Sequence, residues 1–200
     1  LQDLPDGLYA GLCGSGSPFP DAKRGSPCTL VIAGKRQFVF DTGSSASTNI
    51  ARMGFDLGSI EAVFLTHFHS DHIGGLGDVM LNRWVAGANT SPLPVHGPIG
   101  VERVVAGFNE AYGLDQGYRV AHHGEDTVPR SGFGGVAQPF ALEGGEAVVI
   151  DDGGLKITLD AICDALGLDD RRVVELRLIK QIDPLHPHLV AELMPLDHWT

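Results

Sequence analysis

A chain of 200 residues with 43% hydrophobic and 20% charged residues has the composition of a folded globular protein, not of a disordered or fibrous one. Its 25 acidic and 14 basic residues give a formal net charge of -11. We therefore expect no nucleic acid among its partners, because such a surface repels a polyanion. We also expect no membrane span, since no apolar run approaches the roughly 18 residues that one requires.

The first third of the chain alternates short apolar runs with turns. Residues 29–33 and 37–40 flank Gly34-Lys35-Arg36, a pattern typical of a β-hairpin. Asp41-Thr42-Gly43 ends the second strand, and the continuous apolar run Ala62–Leu65 indicates a buried strand. The elements predicted here are a strand ending near Gly11, the hairpin, a helix over 47–53 and a strand over 61–66.

Strands continue to alternate with helices further along the chain, which favours an α/β fold with a mixed sheet. The elements predicted here are a helix over 75–85, a strand over 94–96, a helix over 101–112, a hairpin of 146–151 and 155–162, and a charged helix over 169–182. We predict one main domain over residues 1–162. Residues 163–200 are predicted as a divergent helical C-terminal segment packed on the same domain.

The segment His67-Phe68-His69-Ser70-Asp71-His72 follows the predicted strand directly. It brings the four side chains of His67, His69, Asp71 and His72 into one short loop. Imidazole nitrogen and carboxylate oxygen suit zinc, and also iron or manganese. A cation held there would lower the pKa of a bound water toward roughly 7 and polarise the bond under attack. The loop therefore predicts a metal site with hydrolytic chemistry.

The His-x-His-x-Asp-His motif after an apolar strand, with an upstream strand ending in Asp41-x-Gly43, resembles the metallo-β-lactamase superfamily. The opening Gly14-x-Gly16-Ser17-Pro18, with Arg24 further on, resembles its ribonuclease Z and arylsulfatase-like branch. The resemblance covers residues 8 to 160. It implies an αββα sandwich, two β-sheets between helical layers, with the metal site at one edge and with the second half of the fold incomplete in this chain.

The same resemblance assigns roles to the residues of the loop. His67 and His69 would hold one zinc, and Asp71 and His72 a second. Asp71 would also lie near the nucleophilic water as a catalytic residue. Asp41 would support the loop from behind, as ligating histidines require.

Later ligands of the family have no counterpart at the expected places. Cys163-Asp164-Ala165-Leu166 stands where a histidine is expected, and the Gly-Asp-Thr segment of the bridging aspartate is missing. His186, His188 and Asp197-His198 are candidate substitutes. The alternative hypothesis is a non-catalytic, degenerate or truncated member that lacks a full dinuclear site.

Two further patterns carry alternatives. Asp41-Thr42-Gly43 matches the motif of aspartic proteases, in which two aspartates share a proton; a second copy is missing, so a protease would need a homodimer. His122-His123 is a candidate for the site mouth, although a surface role is the simpler interpretation. Cys13, Cys28 and Cys163 form no motif spacing; we expect buried free thiols, with a Cys13–Cys28 pair as the alternative if the chain is exported.

The sequence thus predicts a metal-dependent hydrolase that uses a metal-bound hydroxide on a small ester-type substrate. Ribonuclease activity requires a cluster of Lys or Arg residues, which we do not find. The expected cofactor is a divalent metal, most simply two zinc ions. The expected partner is a small-molecule substrate, and a homodimer stays open.

Overall fold

The computed structural model describes residues 4–21, 23–141, 146–152, 155–161, 173–180 and 189–193. Within these ranges the strands are β1 (Leu8–Gly14), β2 (Cys28–Ala33), β3 (Arg36–Phe40), β4 (Ile60–Phe64), β5 (Leu93–Pro98), β6 (Gly135–Phe140), β7 (Glu146–Asp152), β8 (Leu155–Ala161), β9 (Val173–Lys180) and β10 (Leu189–Leu193). The α-helices are α1 (Ala46–Arg52), α2 (Ser70–Ile73), α3 (Leu76–Gly87) and α4 (Val101–His123), with 3-10 turns at Leu57–Ser59 and Arg130–Gly132.

The first sheet has the strand order β1-β2-β3-β4-β5-β6. The predicted hairpin is confirmed: β2 and β3 pair antiparallel, and Gly34 takes a φ of 65° in the turn between them. Strands β3 to β6 run parallel. Because Phe40 lies opposite Phe64, the residues that follow β3 and β4 emerge side by side at the same edge of the sheet.

Alternate residues of each strand face two different layers, as the period of two requires. One face carries Val39 and Val63 and packs against side chains of α1, α3 and α4. The other face carries Phe38 and Phe64 and packs against Leu155 and Ile157 of β8. Phe38 and Phe64 are fully buried, and each contributes roughly 1.5–3 kcal/mol of hydrophobic stabilisation.

The second sheet has the antiparallel order β10-β9-β8-β7 and includes the predicted hairpin of β7 and β8. Arg36 ties it to the first sheet, because its guanidinium binds Glu61 of β4 and, at 3.2 Å, the carboxylate of Asp152 in β7. The predicted α/β sandwich is confirmed, and the described residues supply three of its four layers: one of helices and two of sheet.

The C-terminal segment differs from the sequence prediction. The helix predicted over 169–182 is wrong at Val173–Lys180, which is strand β9. Glu175 and Arg177 alternate with Leu176 and Leu178, a strand period that the high charge obscured, and β9 pairs with β8 along its length. The domain boundary at residue 162 stays a prediction.

The expectation of free thiols at Cys13 and Cys28 is also wrong. Both side chains are buried and joined in a disulfide with a Cα–Cα distance of 5.0 Å. Strands β1 and β2 bring them together, because Gly14 pairs with Cys28 after an irregularity at Cys13. Cys163 lies outside the described residues. No helix within the described ranges is long and apolar enough to cross a membrane.

Candidate metal centre

The histidine loop begins where β4 ends and lies at the parallel edge of the first sheet. Leu65, still buried, donates its backbone N–H to the carbonyl oxygen of His96 at 2.8 Å. This bond holds the start of the loop against the neighbouring strand β5. Residues 67 to 69 then cross the edge of the sheet, and the short helix α2 begins at Ser70.

Asp41 follows β3 and takes a φ of 55°, a left-handed conformation that aspartate tolerates better than most residues. Its Oδ1 atom accepts the backbone N–H of Thr66 at 2.9 Å, and its Oδ2 atom lies 2.7 Å from Nδ1 of His72. With its side chain 9% exposed, the carboxylate faces the loop rather than solvent. This geometry favours the loop-supporting role over that of a protease aspartate.

The described ring nitrogens and carboxylate oxygens of the loop come together as two pairs. Nε2 of His67 lies 3.0 Å from Nδ1 of His69, and Nε2 of His72 lies 3.7 Å from Oδ2 of Asp71. The rings of His67 and His72 are 3.9 Å apart between centroids, so the pairs are adjacent. His69 is exposed, whereas the other three side chains are partly buried.

The backbone behind the loop is held by Thr42 and two glycines. Thr42 donates its N–H to the His72 carbonyl oxygen at 2.7 Å, and Gly75 donates to the Thr42 carbonyl oxygen at 2.7 Å. A Cβ atom at Gly43 would lie 2.5 Å from the backbone carbonyl oxygen of Asp71, and one at Gly75 would lie 2.4 Å from the backbone carbonyl oxygen of Gly43. Glycine is therefore required here because the two chain segments touch.

Side chains of the described residues fit part of a metal site. Two nitrogens bound to one tetrahedral zinc at about 2.0–2.1 Å lie roughly 3.3 Å apart, which is close to the 3.0 Å between the His67 and His69 nitrogens. Within the same residues, no group of three or more His, Cys, Asp or Glu side chains is placed to hold a metal ion. His186, His188, Asp197 and His198, the predicted substitutes for later ligands, lie outside the described residues.

Sequence reasoning missed Thr66. Its hydroxyl oxygen lies 2.8 Å from Oδ2 of Asp41 and 3.0 Å from Nδ1 of His67, so it stands between the supporting carboxylate and the first histidine. A hydroxyl residue immediately before the motif was the available signal. The sequence instead predicts Thr66 as the last residue of the strand over 61–66, where a β-branched side chain is common.

Three further histidines of the described residues belong to other elements than the loop. His96 of β5 stacks on Phe64 at a centroid distance of 4.8 Å, and burial lowers its pKa below the ordinary value. His122 and His123 are exposed in the last turn of α4. A place for them at the site mouth stays a prediction.

The chain is similar in sequence to curated proteins named ribonuclease Z. The chain is 46% identical over 120 residues to a ribonuclease Z of Mycolicibacterium gilvum, covering 59% of this chain and 42% of the relative. It is equally identical to a ribonuclease Z of Mycobacterium bovis, covering 59% and 43%. The chain thus spans less than half the length of these relatives.

Among solved structures, the human tRNase Z, short form, superposes with a TM-score of 0.68, at 15% identity, over 93% of this chain and 68% of that protein. This likeness establishes the fold alone.

The expectation of no nucleic-acid partner is wrong, because the curated relatives at 46% identity are named ribonuclease Z. The expectation rested on the net charge of -11, which is a sum over the whole chain. Affinity for a polyanion depends instead on the field at the contact surface, where a bound cation reverses the local sign. The net charge of the whole chain therefore does not predict whether the protein binds a nucleic acid.

The family follows from a match that covers more of the chain. The sequence profile of the metallo-beta-lactamase superfamily matches residues 22–159, which include β2 to β7, all four α-helices and the histidine loop. The predicted resemblance is confirmed: the chain belongs to the metallo-beta-lactamase superfamily.

Proposed function

We propose that this chain carries the first half of the active site of a metal-dependent hydrolase that cleaves phosphodiester bonds in RNA. The observation that carries the proposal is the 3.0 Å approach of the His67 and His69 ring nitrogens beside the His72–Asp71 pair. The names of the relatives at 46% identity support the choice of RNA. The small ester predicted from the sequence has no comparable support.

His67 and His69 would hold one divalent cation, and His72 with Asp71 a second. Zinc suits this set of nitrogen and oxygen donors best, and iron or manganese also accept it. When bound, such cations ionise water near neutral pH and polarise the bond under attack. Further ligands must come from parts of the protein outside this loop, because zinc sites use three or four protein ligands.

The chain's own residues orient the side chains of His72 and Asp71. Asp41 holds the His72 ring through Nδ1, which directs Nε2 toward Asp71. The Asp71 side chain is 9% exposed, and its carboxylate would accept a hydrogen bond from the attacking water and so align it. The contacts of Thr42, Gly43 and Gly75 fix the backbone on which both residues stand.

A metal measurement with matched histidine variants tests the proposal. We expect zinc in the purified chain, lost in the double variant His67→Ala, His69→Ala and retained in the double variant His122→Ala, His123→Ala, whose histidines are exposed at the end of α4. Each double variant removes two imidazoles that are close to each other, so the two variants differ in where in the chain the imidazoles are lost. An unmutated chain that takes up no divalent metal would overturn the proposal in favour of a non-catalytic member of the fold.

Substrate class is tested on the same proteins. We expect the metal-loaded chain to cleave a transfer RNA precursor faster than a small phosphodiester or carboxylic ester, and the His67→Ala, His69→Ala variant to cleave none of them. Preference for a small ester over RNA would contradict the substrate assignment and leave the metal assignment intact.

A further inference from the structure

The Thr66 hydroxyl lies between a carboxylate and an imidazole. Its oxygen lies 2.8 and 3.1 Å from the two Asp41 carboxylate oxygens and 3.0 Å from Nδ1 of His67. The Thr66 backbone N–H also donates to Asp41, so both the main chain and the side chain of Thr66 bind that carboxylate. This arrangement restricts where the protons of the three groups lie.

The hydroxyl has one proton to donate. An ionised carboxylate can only accept hydrogen bonds, so the Thr66 proton points to Asp41. The hydroxyl oxygen then presents a lone pair to Nδ1 of His67, and that nitrogen must be the one that carries the ring proton. In a neutral imidazole the lone pair is left on Nε2, the atom that lies 3.0 Å from His69.

The same carboxylate acts on His72 without an intermediary. Nδ1 of His72 lies 2.7 Å from Oδ2 of Asp41, so it donates its proton there and its lone pair is also on Nε2. One carboxylate therefore specifies the same tautomer in two rings, directly for His72 and through a hydroxyl for His67. Hydrogen bonding of the second ring nitrogen is how proteins set the tautomer of a ligating histidine.

We propose that Thr66 is a positioning residue whose hydroxyl transmits the Asp41 hydrogen bond to His67 and thereby keeps Nε2 of that ring available to a metal ion. The metal part of this inference rests on the proposed function; the tautomer part does not. A purely structural role would require only the β-branched shape of Thr66, two residues after the end of β4, and valine supplies that shape.

The first experiment is nitrogen-15 NMR of the histidine rings in metal-free protein. Wild type and Thr66→Ser, which keeps the hydroxyl, are expected to show His67 with its proton on Nδ1. Thr66→Val is expected to populate the tautomer with the proton on Nε2, while His72 keeps its wild-type tautomer. A wild-type His67 protonated on Nε2 overturns the proposal without reference to any variant.

The second experiment measures zinc affinity by competition with a chelator. We expect Thr66→Val to raise the zinc dissociation constant about 10- to 100-fold, the usual effect of losing such a supporting contact, and Thr66→Ser to stay within about threefold of wild type. Thr29→Val in β2 is the matched control, and thermal unfolding of every variant shows that it is folded. Should Thr66→Val be unfolded, Thr66→Ala, which also lacks the hydroxyl, replaces it.

The two experiments separate the two proposals. If the wild-type chain binds no zinc but the His67 tautomer responds to Thr66→Val, the proposed function fails and the hydroxyl link stands. If zinc binds with equal affinity to wild type and Thr66→Val, and the tautomer is unchanged, the role of Thr66 is overturned and the proposed function stands.

Discussion

Nδ1 of His72 lies 2.7 Å from Oδ2 of Asp41, although the two residues are 31 positions apart in the sequence. The contact exists because β3 and β4 are parallel neighbours, with Phe40 opposite Phe64. It connects the turn after one strand to the loop after the other, so the charge of Asp41 is expected to determine how well the loop holds a cation.

The variant Asp41→Asn tests that dependence. Asparagine tolerates the φ of 55° as aspartate does, so the change removes charge without straining the backbone. We expect the zinc dissociation constant to rise about 10- to 100-fold, as measured by chelator competition. Asp115→Asn removes a carboxylate paired with Arg119 on α4 and should leave the affinity unchanged; an equal loss in both variants would show that net charge alone is responsible.

Gly100→Ala probes the support of Phe68, the residue between His67 and His69. Gly100 takes a φ of 108°, and an added Cβ atom would lie 3.3 Å from the Phe68 ring. The backbone strain is expected to lower the free energy of unfolding by about 1–3 kcal/mol in urea titrations. At Gly107 on α4 a Cβ atom meets nothing within 4 Å, and Gly107→Ala should stabilise the chain by about 0.5–1 kcal/mol. Effects of the same sign would contradict this account.

The Cys13–Cys28 disulfide predicts a thiol count. Unreduced, denatured protein should react with a thiol reagent at one cysteine of three, namely Cys163. Reduction should lower the free energy of unfolding by about 3 kcal/mol, the chain-entropy estimate for a separation of 15 residues. Reductant should not change the free energy of unfolding of the double variant Cys13→Ala, Cys28→Ala. Three reactive thiols in the unreduced protein would disprove the bond.

His96 predicts a pH dependence of stability. Burial lowers its pKa in the folded chain below the unfolded value of 6.5, so the unfolded state binds the proton more readily. The stabilisation is complete above pH 6.5 and is lost as the pH falls through the lower folded value. In urea titrations wild type should lose more stability between pH 7.5 and pH 5.5 than His96→Phe, which keeps an aromatic ring on Phe64. Equal losses would refute the assignment.

The elements that the sequence predicted well are those determined by local pattern. The hairpin around Gly34 and the strand before His67 formed where expected, because turn chemistry and a continuous apolar run leave little choice. Helix α4 was predicted to end near Tyr112 yet continues to His123. Val120 of its last turns packs against Trp84 and Val128, and such packing outweighs the glycines at 113 and 117.

The site residues that the sequence predicted are likewise those determined by local pattern. The motif identified His67, His69, Asp71 and His72 as neighbours because they belong to one loop. The proximity of Asp41 was expected only through resemblance, since strand order cannot be read from spacing. The contacts of Thr66 with Asp41 and His67, and the Cys13–Cys28 bond, depend on three-dimensional proximity that spacing along the sequence does not give.

The hydrogen bonds from Asp41 and Thr66 to the rings of His67 and His72 lie within one continuous stretch of the chain, residues 41–75. A laboratory selection that varies the chain beyond Phe140, but keeps Leu155 and Ile157 because they pack against Phe38 and Phe64, would therefore leave these hydrogen bonds in place. New substrates should be sought by varying that later region, with the stretch from β3 to the start of α3 kept constant.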